Sequence, residues 1–159
     1  MNESIIGICF LLKFWIHEEL FYCLVSNKHI LQKVIINNNS IISLYFNNEL
    51  ITTNLSINKR YIKNFIDICL DITIIEILEE DNISKDYFLW NEFKIDNIRL
   101  VNREIYIPQL SKGNELINIK SVINKIISYE FEYSANIKYS SKGMPIFLEN
   151  SVNILGIHK

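Results

Sequence analysis

Short apolar runs separated by polar turns extend along most of this chain. Near its start, residues 7–14 and 20–25 are two such runs, and the polar triplet 17–19 lies between them. Apolar runs of this length bounded by polar residues predict the two strands of a β-hairpin. Further runs of the same kind lie at residues 41–46, 49–53, 71–77, 105–109, 121–126, 128–131, 146–148 and 152–157. The pattern therefore predicts an all-β protein.

The turns between these runs contain few of the residues that usually build turns. The chain has 4 glycines and 2 prolines, whereas asparagine is abundant and occurs as the pair Asn47-Asn48 between two predicted strands. Asparagine tolerates the left-handed backbone conformation that tight hairpin turns require. We therefore expect Asn and Ser to supply many of the turns.

Composition and charge limit the classes of function. With 159 residues, 49% of them hydrophobic, the chain is long enough to bury a sizeable core and is not disordered. Its 16 basic and 18 acidic residues give a net charge of −2, which offers no electrostatic basis for binding nucleic acid or an anionic membrane. The apolar run 5–12 is too short to span a bilayer and lacks a small-residue cleavage site, so we expect a cytoplasmic protein.

The cysteines do not form a recognisable ligand or disulfide pattern. Cys9, Cys23 and Cys69 are odd in number and widely spaced, and each lies in an apolar run. Such residues are typically buried reduced thiols. No metal ion or other cofactor is expected.

The last twenty or so residues carry the most specific pattern in the chain. Gly143 permits a backbone conformation with positive φ and Pro145 fixes φ, so we expect a stiff loop ahead of a C-terminal hairpin. This segment resembles the nucleophile loop and the following strand of trypsin-like serine peptidase domains of the intracellular type. The matching residues are Gly143, Pro145, Ile146, Phe147, Gly156, Ile157 and His158.

Two earlier segments resemble signatures of the same family. Residues 26–30 follow a predicted strand and place His29 where the family has its catalytic histidine. Residues 71–77 resemble the strand that begins at the aspartate that orients this histidine. The order His29, Asp71, C-terminal loop is the trypsin-like chain order. Asp67 is a less favoured alternative to Asp71, because the strand signature does not follow it directly.

The resemblance implies a single trypsin-like peptidase domain built from two antiparallel β-barrels of the six-stranded type. Residues 1–80 would form the first barrel, residues 81–98 a connector and residues 99–159 the second barrel. The second barrel is expected to be C-terminally truncated, because the chain stops where the family continues into a loop and a closing strand. The acidic stretch 79–89 is expected to be a solvated link.

The resemblance also implies peptide hydrolysis through a serine acyl-enzyme, with His29 as the general base. The departures from the family pattern fall on this chemistry. Lys142 stands where the nucleophilic serine belongs, Ser140 stands where a glycine of the oxyanion loop belongs, ahead of the matching Gly143, and Met144 replaces a glycine or serine. A lysine cannot replace a serine that forms a labile ester. The chain is therefore expected to be an inactive pseudoprotease.

Such a protein would bind an extended peptide or protein segment in the cleft between the barrels. Asn136 and His158 are the candidate substrate-binding residues; the end of the last strand at His158 resembles viral chymotrypsin-like cysteine proteases, where a histidine reads a glutamine side chain. The alternative function is an active serine endopeptidase in which Ser141 is the nucleophile, with a Ser–Lys pair involving Lys142 as a variant. An unrelated all-β protein is the third possibility.

Overall fold

The computed structural model describes residues 8–35, 41–46, 49–54, 60–65, 70–91, 99–110, 115–128, 130–137 and 142–158. The chain divides into two compact units, Met1–Phe88 and Leu89–Lys159. The boundary lies inside the range 81–98 that the sequence suggests for a connector. Within the described residues each unit contains six strands, and the first unit also contains a short helix.

The elements of the first unit are β1 (Cys9–Ile16), β2 (Glu19–Ser26), α1 (Lys28–Ile35), β3 (Ile41–Phe46), β4 (Glu49–Asn54), β5 (Ile62–Asn64) and β6 (Thr73–Glu76). The unit is built on an antiparallel sheet with the strand order β5-β6-β2-β1. Strands β3 and β4 form a separate antiparallel hairpin in the register Ile41↔Asn54 to Phe46↔Glu49. Both hairpins that the sequence predicted here are confirmed; the turn at 47–48 lies outside the described residues.

A cluster of core side chains in the first unit lies on one face of this sheet. Leu11 pairs with Leu24 and Leu24 pairs with Ile75, and all three side chains are fully buried. Leu31 of α1 and Leu44 of β3 pack into the same cluster, so the helix and the β3–β4 hairpin are held by this core. Burial of these aliphatic side chains is the main favourable contribution to folding.

The acidic stretch after β6 is not the solvated link that was expected. It forms two single turns of 3-10 helix, Glu79–Asp81 and Lys85–Tyr87, and then places the buried Phe88 in the first unit's core. Glu79 and Glu80 are exposed, but the Asp81 side chain is only 3% exposed and forms an ion pair with Arg60. A charge run therefore marks a solvated surface only in part, because one of its carboxylates has a buried partner.

The strands of the second unit are β7 (Leu89–Trp90), β8 (Glu104–Leu110), β9 (Leu116–Ile127), β10 (Glu130–Tyr133), β11 (Pro145–Leu148) and β12 (Ile154–Ile157). Five of them form an antiparallel sheet with the order β10-β9-β8-β11-β12. Its fully buried core side chains are Ile105, Ile107, Ile123 and Ile146. A parallel bridge joins Asn91, next to β7, to Ile154 in β12.

Four strand starts in the second unit, those of β9, β10, β11 and β12, differ from those expected. Strand β9 has 12 residues and begins earlier, at Leu116. Ser128 lies in the turn before β10 with φ of 56°, although it was predicted to begin a strand. Val152 is 80% exposed and precedes β12, and Pro145 is paired with Ile157 as the first residue of β11. A strand's first residue is a position where the missing N–H of proline is tolerated.

Turns in the described residues use non-glycine residues in the left-handed region, as the low glycine content predicted. Asn82, Asn102, Ser128 and Asn150 have φ between 54° and 67°. The β1–β2 turn is less usual, because His17 and Glu18 have φ of 45° and 69°. Positive φ at both central residues is the geometry of a type I′ hairpin turn. In the described part of the chain no helix has the length and apolar character that crossing a bilayer needs.

Candidate functional site

The first part of the site is the point where β2 ends and α1 begins. Asn27 follows the last residue of β2 and is 1% exposed. Its backbone carbonyl accepts hydrogen bonds from Ile30 N (3.1 Å) and Leu31 N (3.2 Å), so the chain turns into a helix immediately after the strand. The expected strand end is confirmed, but the helix was not predicted. His29 therefore lies in the first turn of α1.

Pairing of β2 with β6 brings Asp71 beside this turn. Ser26 is in register with Thr73, so the residue two places before Thr73 lies next to the residues that follow Ser26. Two donors reach the backbone carbonyl of Asp71: Lys28 N and Asn27 Nδ2, each at 3.1 Å. Residues separated by more than forty positions in sequence are thereby held together.

Asp71 contacts His29 through both carboxylate oxygens. Oδ1 accepts a hydrogen bond from the backbone N–H of His29 at 3.0 Å, and Oδ2 is hydrogen-bonded to the imidazole Nδ1. An ionised carboxylate only accepts, so this network assigns the proton to Nδ1. In the neutral ring Nε2 is then the acceptor, which is the state in which a histidine takes a proton from a hydroxyl.

The predicted contact between His29 and Asp71 is confirmed. The His29 side chain is 53% exposed, so its ring is accessible from solvent. Asp67, the alternative partner, lies outside the described residues. The geometry establishes the pairing of the two side chains, and their catalytic role stays a prediction.

The predicted nucleophile loop lies in the second unit and is described from Lys142 onward. Gly143 has φ of 85°, as expected for a glycine that permits the left-handed region. Its N–H donates to the His158 carbonyl at 2.9 Å, and the His158 N–H donates to the Met144 carbonyl at 2.8 Å. These two bonds fix the loop against the end of β12. Ser140 and Ser141 lie outside the described residues.

His158 belongs to a cluster of polar side chains in the second unit. Its Nδ1 is hydrogen-bonded to the Tyr133 hydroxyl, and the two ring centroids are 6.0 Å apart. Burial lowers the pKa of His158 below its ordinary value, and the positive charge of Lys142 lowers it further. Burial raises the pKa of Tyr133 to about 12, so this hydroxyl stays protonated. Asn136, the other candidate for substrate binding, is exposed in the segment after β10.

Two residues of these clusters were missed by the sequence analysis. Asn27 was quoted only as part of the histidine signature, and its position two residues before His29 was the signal available. No local sequence pattern pointed to Tyr133. Its contact with His158 joins two residues 25 positions apart and exists only in the folded protein. Long-range side-chain contacts of this kind do not follow from periodicity.

Comparison with known proteins gives a structural likeness alone. The sequence matches no protein-family model and no curated protein. The crystal structure of Deg5 matches with a TM-score of 0.57 and 12% identity, over 98% of this chain and 80% of that chain. The apo form of the MamO protease domain from Magnetospirillum magneticum has a TM-score of 0.47 and 8% identity, over 85% of this chain and 69% of that chain.

The likeness to Deg5 extends over almost the whole chain, and the strands of both units are antiparallel as that fold requires. At 12% identity this likeness shows the fold and carries no information on activity. The expected fold class is therefore confirmed: this chain has the all-β, two-barrel fold of the trypsin-like proteases.

Proposed function

We propose that this protein is a catalytically inactive member of the trypsin-like serine peptidase group that binds an extended peptide or protein segment. The observation that carries the proposal is the combination of a preserved His29–Asp71 pair with a lysine in the loop before Gly143. The pair supports descent from a serine peptidase. The lysine supports loss of the reaction.

Lys142 lacks the chemistry that the pair would serve. A histidine held by a carboxylate activates a hydroxyl by removing its proton, and the resulting ester is hydrolysed in the next step. Lys142 lies near enough to His158 for its positive charge to lower the pKa of that ring. An ammonium group has no lone pair for attack on a carbonyl. Loss of the serine nucleophile lowers turnover by on the order of 10⁶-fold in a peptidase that carries the same triad on an unrelated fold.

His158 supports the peptide-binding part of the proposal. Its Nδ1 is hydrogen-bonded to the Tyr133 hydroxyl. We assign this hydroxyl as the donor, which leaves the proton of the neutral ring on Nε2. A half-buried N–H of this kind is suited to a carbonyl or amide oxygen of a bound side chain. Asn136, exposed after β10, supplies a second polar group on the same unit. Both assignments are part of the proposal.

An active serine endopeptidase with Ser141 as nucleophile is the second candidate function. The observation that favours it is the His29 ring itself, which is accessible and has its Nδ1 bound to Asp71. In that case Ser141, one residue before the position aligned with the nucleophile, would present its hydroxyl to His29 Nε2.

Labelling with a fluorophosphonate tests the loss of activity, because this reagent requires a serine activated by its histidine. We expect no labelling of the natural protein and weak labelling of Lys142→Ser. The combined variant Ser140→Gly, Lys142→Ser, Met144→Ser should label better, since it restores the glycine and the small residue of the loop. Adding His29→Gln to that variant is the matched control and should abolish labelling. Labelling of the natural protein that Ser141→Ala removes would overturn the proposal in favour of the peptidase.

Panning against random heptapeptides displayed on phage tests the binding function. The natural protein should enrich peptides that share a residue type with an oxygen acceptor in its side chain. His158→Phe keeps an aromatic ring and removes the donor, so the shared preference should disappear. Equal enrichment by both proteins would exclude His158 from the binding site, and no enrichment by the natural protein would argue against a peptide-binding module.

A further inference from the structure

Asn27 is the most deeply buried polar side chain that touches the His29–Asp71 pair. It is 1% exposed, and its Nδ2 donates to the backbone carbonyl of Asp71 at 3.1 Å. Among the described residues, the other donor to that carbonyl is Lys28 N, at the same distance. Asp71 precedes β6, which begins at Thr73, so ladder hydrogen bonds do not hold its peptide. These two bonds hold its backbone carbonyl, Phe65 N donates to the next carbonyl, that of Ile72, at 3.2 Å, and His29 contacts the carboxylate.

The amide of Asn27 has one orientation that suits this contact. Turning the amide over would place Oδ1 against the Asp71 carbonyl, and two acceptors repel each other. In the observed orientation Oδ1 is buried and has no hydrogen-bond partner among the described residues. A buried unpartnered acceptor is unfavourable. The contact of Nδ2 with Asp71 is therefore formed even though the other end of the same amide is left unsatisfied.

Asn27 does not perform the capping role that its position offers. An asparagine just before a helix usually accepts a hydrogen bond from the second or third backbone N–H of the helix through Oδ1. Here the His29 N–H donates to Asp71 Oδ1 at 3.0 Å, and the Ile30 N–H donates to the Asn27 backbone carbonyl. The Asp71 carboxylate has taken the place of the cap. Asn27 instead holds the residue that carries this carboxylate.

We propose that Asn27 is the positioning residue of the His29–Asp71 pair. The Nδ2 group of Asn27 fixes the Asp71 backbone and thereby the position of the Asp71 carboxylate relative to α1. In that position Oδ1 accepts from the His29 N–H while Oδ2 is hydrogen-bonded to the His29 Nδ1. The proton of the neutral imidazole is thereby kept on Nδ1 and the lone pair on Nε2. The inference deepens the proposed function: it rests on the His29–Asp71 pair and is independent of the missing nucleophile.

The test is the tautomer of His29, read from the ring-nitrogen chemical shifts in long-range ¹H–¹⁵N NMR spectra, with the His29 signals assigned by their loss in His29→Gln. The natural protein should have mainly the Nδ1–H tautomer. Asn27→Ala and the nearly isosteric Asn27→Leu should each lower the ratio of Nδ1–H to Nε2–H tautomer by about two- to tenfold, as expected for coupling within one hydrogen-bond network. Asn27→Leu separates loss of the donor from creation of a cavity.

Thr73→Val is the matched control. Thr73 is fully buried and lies two residues after Asp71. The substitution is isosteric and removes the hydrogen bond that Thr73 Oγ1 donates to Asn64 Oδ1 at 2.6 Å. This variant should keep the tautomer ratio of the natural protein. An unchanged ratio in the folded Asn27 variants would overturn the proposal, and so would an equal change in Thr73→Val, since the effect would then be general loosening. The NMR measurement depends neither on reaction with a fluorophosphonate nor on binding of a peptide. A negative result here is therefore distinguishable from failure of the proposed function.

Discussion

Asp71 holds His29 at two points with one carboxylate, its backbone N–H through Oδ1 at 3.0 Å and its imidazole Nδ1 through Oδ2. The first contact satisfies a helix N–H that has no partner inside α1, and the second fixes the ring. The same group therefore serves as helix cap and as orienting carboxylate. A change at Asp71 will affect stability and ring orientation together.

Replacing Asp71 separates these two roles. Asp71→Ala removes both contacts and should lower the free energy of unfolding by about 1 kcal/mol, the usual cost of losing a cap. Asp71→Asn keeps an acceptor for the His29 N–H and should cost less. Urea denaturation followed by far-UV circular dichroism measures both. Glu80→Ala, at an exposed acidic residue, is the control and should change stability by less than about 0.5 kcal/mol. Equal costs for Asp71→Ala and Glu80→Ala would contradict the capping role.

Arg60 and Asp81 form a buried ion pair that should dominate the stability of the segment after β6. Their side chains are 2% and 3% exposed, and two guanidinium nitrogens contact the two carboxylate oxygens at 2.7 and 3.1 Å. Arg60→Met should destabilise the protein by about 3–5 kcal/mol, because it leaves a buried carboxylate without its cation. The double variant Arg60→Met, Asp81→Leu should be more stable than Arg60→Met alone. Thermal and urea unfolding measure the differences.

The matched control for this pair is the exposed pair Lys85–Glu79. Its atoms are 3.8 Å apart and its side chains are 65% and 95% exposed. Lys85→Met should cost at most about 1 kcal/mol, because solvent screens such pairs. A cost for Arg60→Met as small as that for Lys85→Met would show that burial of the Arg60 pair is not important for folding.

The pKa of His158 should report the position of Lys142. Lys142→Met should raise this pKa, because it removes a nearby positive charge, but should leave it below 6.5, because burial is the larger cause of the shift. Lys125→Met, at an exposed lysine of β9, should leave it unchanged. NMR titration of the His158 ring protons measures all three proteins. An unchanged pKa in Lys142→Met would place the Lys142 side chain away from His158.

The lowered pKa also makes stability depend on pH. In the unfolded chain His158 titrates at its ordinary value of 6.5, and in the folded protein it titrates lower. Between the two values the unfolded state binds more protons, so stability decreases as the pH falls from about 6.5 to the folded pKa and then levels off. His158→Phe should show a smaller decrease over this range. Denaturation midpoints from pH 7.5 to pH 5, about the span over which a histidine titrates, measure it.

Burial should make Cys23 unreactive in the folded protein. Cys23 is fully buried and its thiol donates to the Leu12 carbonyl at 3.5 Å, and burial raises its pKa to about 12. Thiolate is the reactive form, so iodoacetamide at neutral pH should modify Cys23 only after unfolding in urea. Mass spectrometry of the peptides distinguishes it from Cys9 and Cys69. Equally fast modification with and without urea would show that this side chain is accessible.

The strands were predictable where two apolar runs flank a short polar turn. The registers Cys9↔Ser26 and Ile41↔Asn54 follow from hairpins centred on polar turn residues. Helix α1 was not predicted, although Ser26-Asn27 is a good helix start and apolar residues follow at helical spacing. Only one residue separates it from β2, so the apolar residues of strand and helix follow each other with little polar sequence between them. Strand β5, with three residues, was too short to give a pattern.

For the candidate site, the sequence predicted the order of the residues and one of their contacts, and the other side-chain contacts were not predicted. The order of His29 and Asp71 and the lysine at 142 are visible in the sequence, and the His29–Asp71 contact follows from the resemblance. The bond between Asn27 and Asp71 and the contact of Tyr133 with His158 join residues 44 and 25 positions apart. Such contacts depend on strand pairing and on side-chain packing, and neither leaves a periodic signal in the sequence.

The left-handed residues of the turns have a consequence for how this protein can change. Among the described residues, six with side chains have positive φ, two of them adjacent at His17 and Glu18. Outside glycine and asparagine this conformation costs roughly 1–2 kcal/mol per residue. The domain therefore carries avoidable strain at its periphery, and an Asn-Gly pair at 17–18 would relax it without altering any buried side chain. The turns of this fold can therefore gain stability while the packed interior stays as it is.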